Sequence, residues 1–301
     1  MVEKTAKKTT ASPKKPTSSA KTVTKKPVRK TQSTKTKAKP VVKSKTSTKA
    51  NANSKPQAKS ISDYNGYDYK KIFWEDADRK YEDAADRMAI RRLLPRHMDN
   101  FVDIAGGYGR LANEYLPRAT VATLFDYSKT ELAQAKELYG DQLKTKSGDI
   151  YSLPFKDNSF DALMMVRATH HFKDMQKVSD ELYRILKPGG VAVIEVANKK
   201  TLPRMFRYWT GKTDQNPFSL EPIHLKEIDA DGFYNYHPKY IEEIFRNSGF
   251  QISEVLSVSN FRSARLKAIF GNKFLINLEA GAQKLLAPVR FAPSIYYKLV
   301  K

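Results

Sequence analysis

The chain has 301 residues, enough for one large domain or two small ones, and carries 54 Lys and Arg against 32 Asp and Glu, a formal net charge of +22. It contains no cysteine, which excludes a disulfide framework, a thiolate zinc site and a cysteine nucleophile. No apolar run reaches the ~18 residues of a membrane-spanning helix, and the opening MVEKTAKKTT lacks the apolar centre of a signal peptide, so a soluble, cytoplasmic protein is the default expectation.

The charge is unevenly placed. Residues 1–60 hold 17 Lys and one Arg against one Glu, a net +17, whereas 61–301 is only mildly basic. This first stretch is built from Lys, Thr, Ser, Ala and Pro, and no aromatic residue, Leu or Ile precedes Ile61. Such a composition buries too little apolar surface to offset the entropy of ordering, and reads as a disordered basic tail. Three roles stay open for it: a solvated tether, a phosphate-binding arm for nucleic acid, or a contact with anionic lipid. With no aromatic interleaved, any nucleic-acid contact through residues 1–60 would be independent of sequence.

The folded domain is expected over 61–301, with order beginning near Tyr64. YEDAADRMAIRRLL (81–94) has helical spacing of apolar residues. FVDIA (101–105) reads as a short buried strand, followed by a glycine-rich turn and a helix. VATLFD (121–126) is a second strand, and ELAQAKELYG a helix that ends at glycine. A third strand ends near Gly148–Asp149. FDALMMVR (160–167) and VAVIEVAN (191–198) are continuous apolar runs, as parallel strands buried on both faces should be. Between them DMQKVSDELYRILKPGG predicts a helix with a Pro-Gly-Gly stop. HPKYIEEIFRNSGF predicts another helix, and FQISEVLSVS and SIYYKLV two late strands. The segment 199–237 reads as an insertion on the acceptor side, its aromatics either lining a site or forming the core of a small cap. ARLKAIFGNKFLINLEAGAQKLLAPVR (264–290) reads as a helical hairpin whose apolar stripe packs inward, with contact at a membrane surface as the alternative. The whole is an α/β, Rossmann-like, doubly wound sheet.

Three features carry chemistry. Asp103-Ile-Ala105-Gly106-Gly107-Tyr-Gly109-Arg joins a strand to a helix, and glycine there lets a ligand approach the backbone beside a helix N-terminus. Asp126 ends the second strand, where a carboxylate accepts from both ribose hydroxyls of a nucleoside; capping of the next helix is the alternative, and Ser128 competes for it. Asp149, at the end of the third strand, is placed to accept from an adenine amino group, with the Ile150 amide donating to a ring nitrogen.

FVDIAGGYGR, LFDYSKTELAQAK, GDIYSLPFKDNSFDALMM and ELYRILKPGGVAVIEV, in this order, resemble class I S-adenosylmethionine-dependent methyltransferases of the methyltransferase type 11 group, over about residues 78–260. The resemblance implies a seven-stranded sheet in the order 3-2-1-4-5-7-6, with SIYYKLV inserted antiparallel beside the fifth strand. It implies that Asp103 and the loop Ala105, Gly106, Gly107 and Gly109 hold the methionine part of S-adenosylmethionine. Asp126, with Tyr127 beside it, would take the ribose, and Asp149 and Ile150 the adenine. Val166 and Arg167 would border the methyl donor, and Tyr81 would close over the cofactor. Ala105 departs from the pattern, which has glycine there; alanine tolerates strand dihedrals, so a slight loss of loop freedom and no loss of binding are expected.

Methyl transfer from a sulfonium is an in-line displacement that needs mainly positioning and exclusion of water. His170, just after the fourth strand, is the candidate base, with His171 the weaker one and a structural role for both the alternative. No ligand spacing for a metal is present around His224 and His237. Val166-Arg167-Ala168-Thr169 replaces the Asn/Asp-Pro-Pro-Tyr/Phe box of enzymes that methylate amino groups of bases or glutamine. A small-molecule acceptor, lipid- or quinone-like, is therefore expected first. RNA or protein recruited by the tail comes second, and a non-enzymatic nucleic-acid-binding protein third.

Overall fold

The computed structural model describes residue 74 and residues 79–225 and 233–301, all within the compact unit Pro56–Lys301. The basic tail 1–60 and the acidic stretch 226–232 lie outside the described residues. In chain order the elements are α1 (Lys80–Leu93), β1 (Met98–Ile104), α2 (Ala112–Tyr115), β2 (Ala119–Asp126), α3 (Lys129–Tyr139) and β3 (Lys144–Ser147). Then come β4 (Phe160–Met165), α4 (Met175–Ile185), β5 (Leu186–Ala197), α5 (Leu202–Trp209), β6 (Ile223–Leu225) and β7 (Phe233–Asn235). The chain continues with α6 (Pro238–Asn247), β8 (Gln251–Val258), α7 (Ala264–Leu285) and β9 (Ser294–Val300).

Seven strands form one sheet in the order β3-β2-β1-β4-β5-β9-β8. The first five are mutually parallel, and β9 runs antiparallel between β5 and β8. This is the expected Rossmann-like order, with SIYYKLV beside the fifth strand. Because β9 reverses direction twice over, β8 runs parallel to β5, so the C-terminal ends of β1, β2, β4, β5 and β8 share one edge of the sheet.

Alternation along the strands sorts side chains onto two faces. Val102, Leu163, Met165, Ile194 and Tyr297 join one core with Val178 and Leu182 of α4 and Ile241 and Phe245 of α6. Phe101, Met164, Val193 and Tyr296 join the other with Ala89 and Leu93 of α1 and Leu132 of α3. On this second face Asp103 and Glu195 replace apolar residues deep in the sheet, both buried. A polar site is thus set into an otherwise apolar layer.

Two local differences from the sequence reading have plain causes. The Lys187-Pro188-Gly189-Gly190 stop does not stand outside the sheet. It bulges from β5, whose register against β4 shifts between Leu186 and Val191, and Gly189 N donates to Lys301 O at 2.8 Å. Ala105 does not continue β1. It turns out of the sheet edge at φ 54°, a left-handed conformation that costs a residue with a Cβ about 1–2 kcal/mol.

Helix α7 is interrupted at Gly271, where φ 72° and ψ 156° are not helical. Its second half, 272–285, packs on α1 through polar groups. Tyr81 Oη donates to Glu279 Oε2 at 2.6 Å, Gln283 Nε2 donates to Ala85 O at 2.9 Å and Arg92 Nη1 donates to Gln283 Oε1 at 2.9 Å.

Candidate active site

A cavity opens at the shared edge of the sheet, above β1, β2 and β4. Its wall includes Asp103, Ala105, Gly106, Gly107, Asp126, Tyr127, Ile150, Val166 and Arg167. Nine of the thirteen residues singled out from sequence are therefore brought together. Gly109 lies one turn further on, in the left-handed region at φ 78°, where its amide donates to Gly106 O. The exposed Asp149 stands beside the wall and accepts from Tyr151 N at 2.9 Å. Tyr81 is set apart: its hydroxyl is held by Glu279 and accepts from Phe261 N at 2.8 Å, so it braces α1 against α7. His170 is also absent from the wall, and His171 occupies it instead.

The loop after β1 is shaped by close packing. A Cβ on Gly106 would stand 2.4 Å from Leu124 Cδ1 and 2.6 Å from Asp103 Oδ2, so only glycine fits between the loop and the sheet. Asp126 fixes the other rim: Oδ2 accepts from Gly107 N and Oδ1 from Ser128 N, each at 2.8 Å. The helix cap itself is Ser128, whose hydroxyl accepts from Glu131 N. Asp126 is thereby left as a loop-fixing carboxylate beside the cavity.

Electrostatics set the two acids apart from ordinary carboxylates. Burial, reinforced by the nearby Asp126, pushes the Asp103 carboxyl up to about 8. Burial also raises Asp126, against the amides it accepts from. The sequence reading missed a counter-charged cluster behind them. Asp86 of α1 is fully buried and accepts from Arg167 Nε at 2.8 Å, Arg167 Nη2 at 3.1 Å, Arg110 Nη2 at 2.9 Å and Tyr296 Oη at 2.8 Å. Burial alone would lift its carboxyl, but Arg167 and Arg110 outweigh that and hold it below the usual range. Arg110 also lies under the indole of Trp74, 3.6 Å from the ring centroid, and both line the cavity. Arg167 adopts φ 56° and donates its amide to Glu195 Oε2 at 2.9 Å. Arg110 follows Gly109 directly, so its neighbourhood was open to inference; Asp86 and Trp74 carried no local signal.

The rings of His170 and His171 lie 4.1 Å apart between centroids, tilted by 46°, and both pack against Phe233 of β7. Burial, then the neighbouring His171 and Arg167, keep His170 neutral far below neutral pH. Burial holds His171 at about 4.

A second cavity lies on the same edge, over β5, β8 and β9. Leu202, Leu225, Phe261, Leu286 and Phe291 line it together with Arg207 and Arg262. Arg262 stands close enough to Arg167 for the two charges to repel, which places the two cavities side by side.

A doubly wound sheet with a tight loop after the first strand and a carboxylate ending the second is a Rossmann-like arrangement. Residues 102–194 match the methyltransferase domain family. The chain is 26% identical to a ubiquinone/menaquinone biosynthesis C-methyltransferase of Roseobacter denitrificans, over 56% of this chain and 72% of that protein. It is 30% identical to the protein of the same name from Cereibacter sphaeroides, over 51% of this chain and 62% of that one, which it therefore spans by less than two thirds. A Mesorhizobium loti S-adenosylmethionine-dependent methyltransferase shares the fold, with a TM-score of 0.50 and 16% identity over 72% of this chain and 98% of its own. Residues 102–194 are thus similar to the methyltransferase domain of class I, S-adenosylmethionine-dependent enzymes, and the sheet around them has the Rossmann-like order of that class.

Proposed function

We propose that the first cavity holds S-adenosylmethionine and that the second receives a small, largely apolar acceptor of the lipid or quinone-like class. The donor set suits the cofactor: Asp126 faces its ribose hydroxyls, and the Ile150 amide and Asp149 meet its adenine. Asp103 and the loop Ala105–Gly109 take its amino-acid part, and Arg110 supplies a cation for its carboxylate. Ile150, Val166 and Phe172 give apolar walls to its rings. When bound, the cofactor supplies an activated methyl group on sulfur. Val166 and Arg167 would border the methyl donor.

The observation that carries the acceptor class is the second cavity, where Leu202, Leu225, Phe261, Leu286, Val289 and Phe291 supply an apolar wall and Arg204, Arg207 and Arg262 its cations, set against the first cavity on one sheet edge. The relatives named for quinone biosynthesis favour the same class. His171 is uncharged at neutral pH and so able to accept a proton from an acceptor hydroxyl. A base with a conjugate acid near 4 contributes little driving force, however, so rate acceleration rests on positioning and exclusion of water.

Two measurements test the reading. Asp126→Ala should weaken S-adenosylmethionine binding by at least ~1.5 kcal/mol in calorimetry, since it removes a charge-assisted partner of two hydroxyls. Transfer of tritiated methyl into fractionated cell extract should label the lipid fraction; label confined to RNA or protein would refute the acceptor class.

A further inference from the structure

Exposed apolar side chains are normal when scattered and informative when gathered. Here they are gathered. Of the thirteen large apolar residues exposed among the described residues, eleven fall in 202–220 and 269–289. Both segments border the mouth of the second cavity, through Leu202 and Arg207 on one side and Leu286 and Val289 on the other.

The two helices present these residues in register. On α5, Leu202, Phe206 and Trp209 recur at helical spacing on one face, 58%, 61% and 67% exposed. The second half of α7 is reversed relative to an ordinary surface helix. Its inward stripe includes Glu279 and Gln283, fully buried and hydrogen-bonded to α1. Its outward stripe is Phe274, Leu278 and Leu285, the last 78% exposed. An outward apolar stripe that no described residue covers calls for an apolar partner. Charge narrows the choice. Helix α5 has no acidic residue, and the only acid in α7 is the buried Glu279. Arg207, Arg265 and Lys273 are exposed around the apolar residues. Two helices that expose apolar residues and cations but no acid, with Asp214 and Glu221 confined to the loop after α5, match the headgroup boundary of an anionic bilayer. No helix among the described residues is long and apolar enough to cross a membrane, so the contact is peripheral.

We propose that α5 and α7 form an interfacial membrane anchor that seats the mouth of the second cavity on an anionic lipid surface. The anchor stands on exposure and charge alone; that the acceptor enters from the bilayer rests on the acceptor class proposed above.

The sequence has two tryptophans. Trp74 is buried and Trp209 exposed, so Trp209 reports on the anchor. The full chain should be mixed with vesicles of phosphatidylcholine, with and without a third of phosphatidylglycerol, carrying brominated acyl chains. The expected result is quenching of Trp209 by the anionic vesicles, with binding retained but quenching mostly lost in Trp209→Phe. Phe274→Ser with Leu278→Ser should lower partitioning about tenfold or more while leaving the melting temperature nearly unchanged. Cofactor affinity, read in parallel by calorimetry, reports separately on the active-site assignment. Three results would overturn the anchor. One is sedimentation with vesicles while Trp209 stays unquenched and the serine variant binds equally well, which would assign the attraction to the basic tail. Another is self-association abolished by the serine variant with no quenching, which would assign the face to a second copy of this chain. The third is no association with either vesicle.

Discussion

Replacing Asp86 by Asn tests the charge cluster behind the first cavity. Asp86 is fully buried and takes four hydrogen bonds at 2.8–3.1 Å, three of them from two guanidinium groups. The amide would keep the shape but lose the charge, and its NH₂ would face donors. Breaking a buried pair by neutralising one partner costs about 3–5 kcal/mol, because the other charge stays buried without compensation. At about 2–4 °C per kcal/mol for a domain of this size, the melting temperature should fall by roughly 6–20 °C. Arg110 retains Asp83, so the exposed deficit falls on Arg167. Asp86→Leu with Arg167→Met removes both charges and should regain most of the loss, which a double-mutant cycle by urea denaturation would read. The sign with pH is fixed. The Asp86 carboxyl lies below its ordinary 3.8 in the folded state, so its contribution is present above that value and disappears only as acid carries the pH through the folded one. Between about pH 5 and 9 it should be constant. A loss under about 1 kcal/mol for Asp86→Asn would refute the claim that the cluster is held by this charge.

Asp103 behaves oppositely: its folded value is raised to about 8 from 3.8. The native carboxyl keeps a proton that the unfolded chain has lost, so stability of the cofactor-free protein should fall as pH rises from about 4 to about 8 and level off above. Asp103→Asn should flatten that slope in denaturation curves taken across the range. Ala105→Gly should raise stability by about 1 kcal/mol, because glycine relieves the left-handed strain at φ 54°; an unchanged urea midpoint would show the strain is absent. Gly106→Ala should cost about 1–3 kcal/mol, since its Cβ would overlap Leu124 and Asp103, and should weaken cofactor binding in calorimetry. His171→Ala should lower turnover by less than about 10²-fold, as expected where positioning outweighs base catalysis.

The strands of the sheet were legible because their signal is local. FDALMM and VAVIEV are apolar runs of strand length, and each forms a buried parallel strand. The loop Gly106–Gly109 and Asp126 were legible because a tight turn and a strand-ending acid each carry their own chemistry. Asp86 was not: in YEDAADRMAI it reads as one more polar residue on a helix, and its partners Arg110, Arg167 and Tyr296 are far along the chain. The left-handed turn at Ala105 has no signal in the sequence, since alanine suits a strand and only the sheet edge demands that conformation there. Tyr81 lies in α1's acidic first turn, but the groups that claim its hydroxyl, Glu279 of α7 and Phe261 N of the loop between β8 and α7, are far along the chain. Periodicity in α5 and α7 showed apolar stripes without showing which way they face: within the segment 199–237, Leu202, Arg207 and Leu225 line the second cavity, whereas Phe206 and Trp209 are exposed.

Strand β9 has a kinetic consequence. It is the last strand along the chain and yet lies inside the sheet, bonded to β5 over seven residue pairs and to β8 over another seven. Until residues 294–300 have been synthesised, β5 and β8 each present an open edge of unpaired backbone groups, and neither can pair with the other in the native arrangement. Such edges are templates for association with other chains, and pairing that joins residue 191 to residue 300 waits on a long loop closure. A chain stalled just short of β9 would carry the complete loop after β1 and five paired strands, with β8 left without its only neighbour in the sheet. Emergence of the final strand, not assembly of the site, is therefore the step at which this protein is most exposed to aggregation during its synthesis.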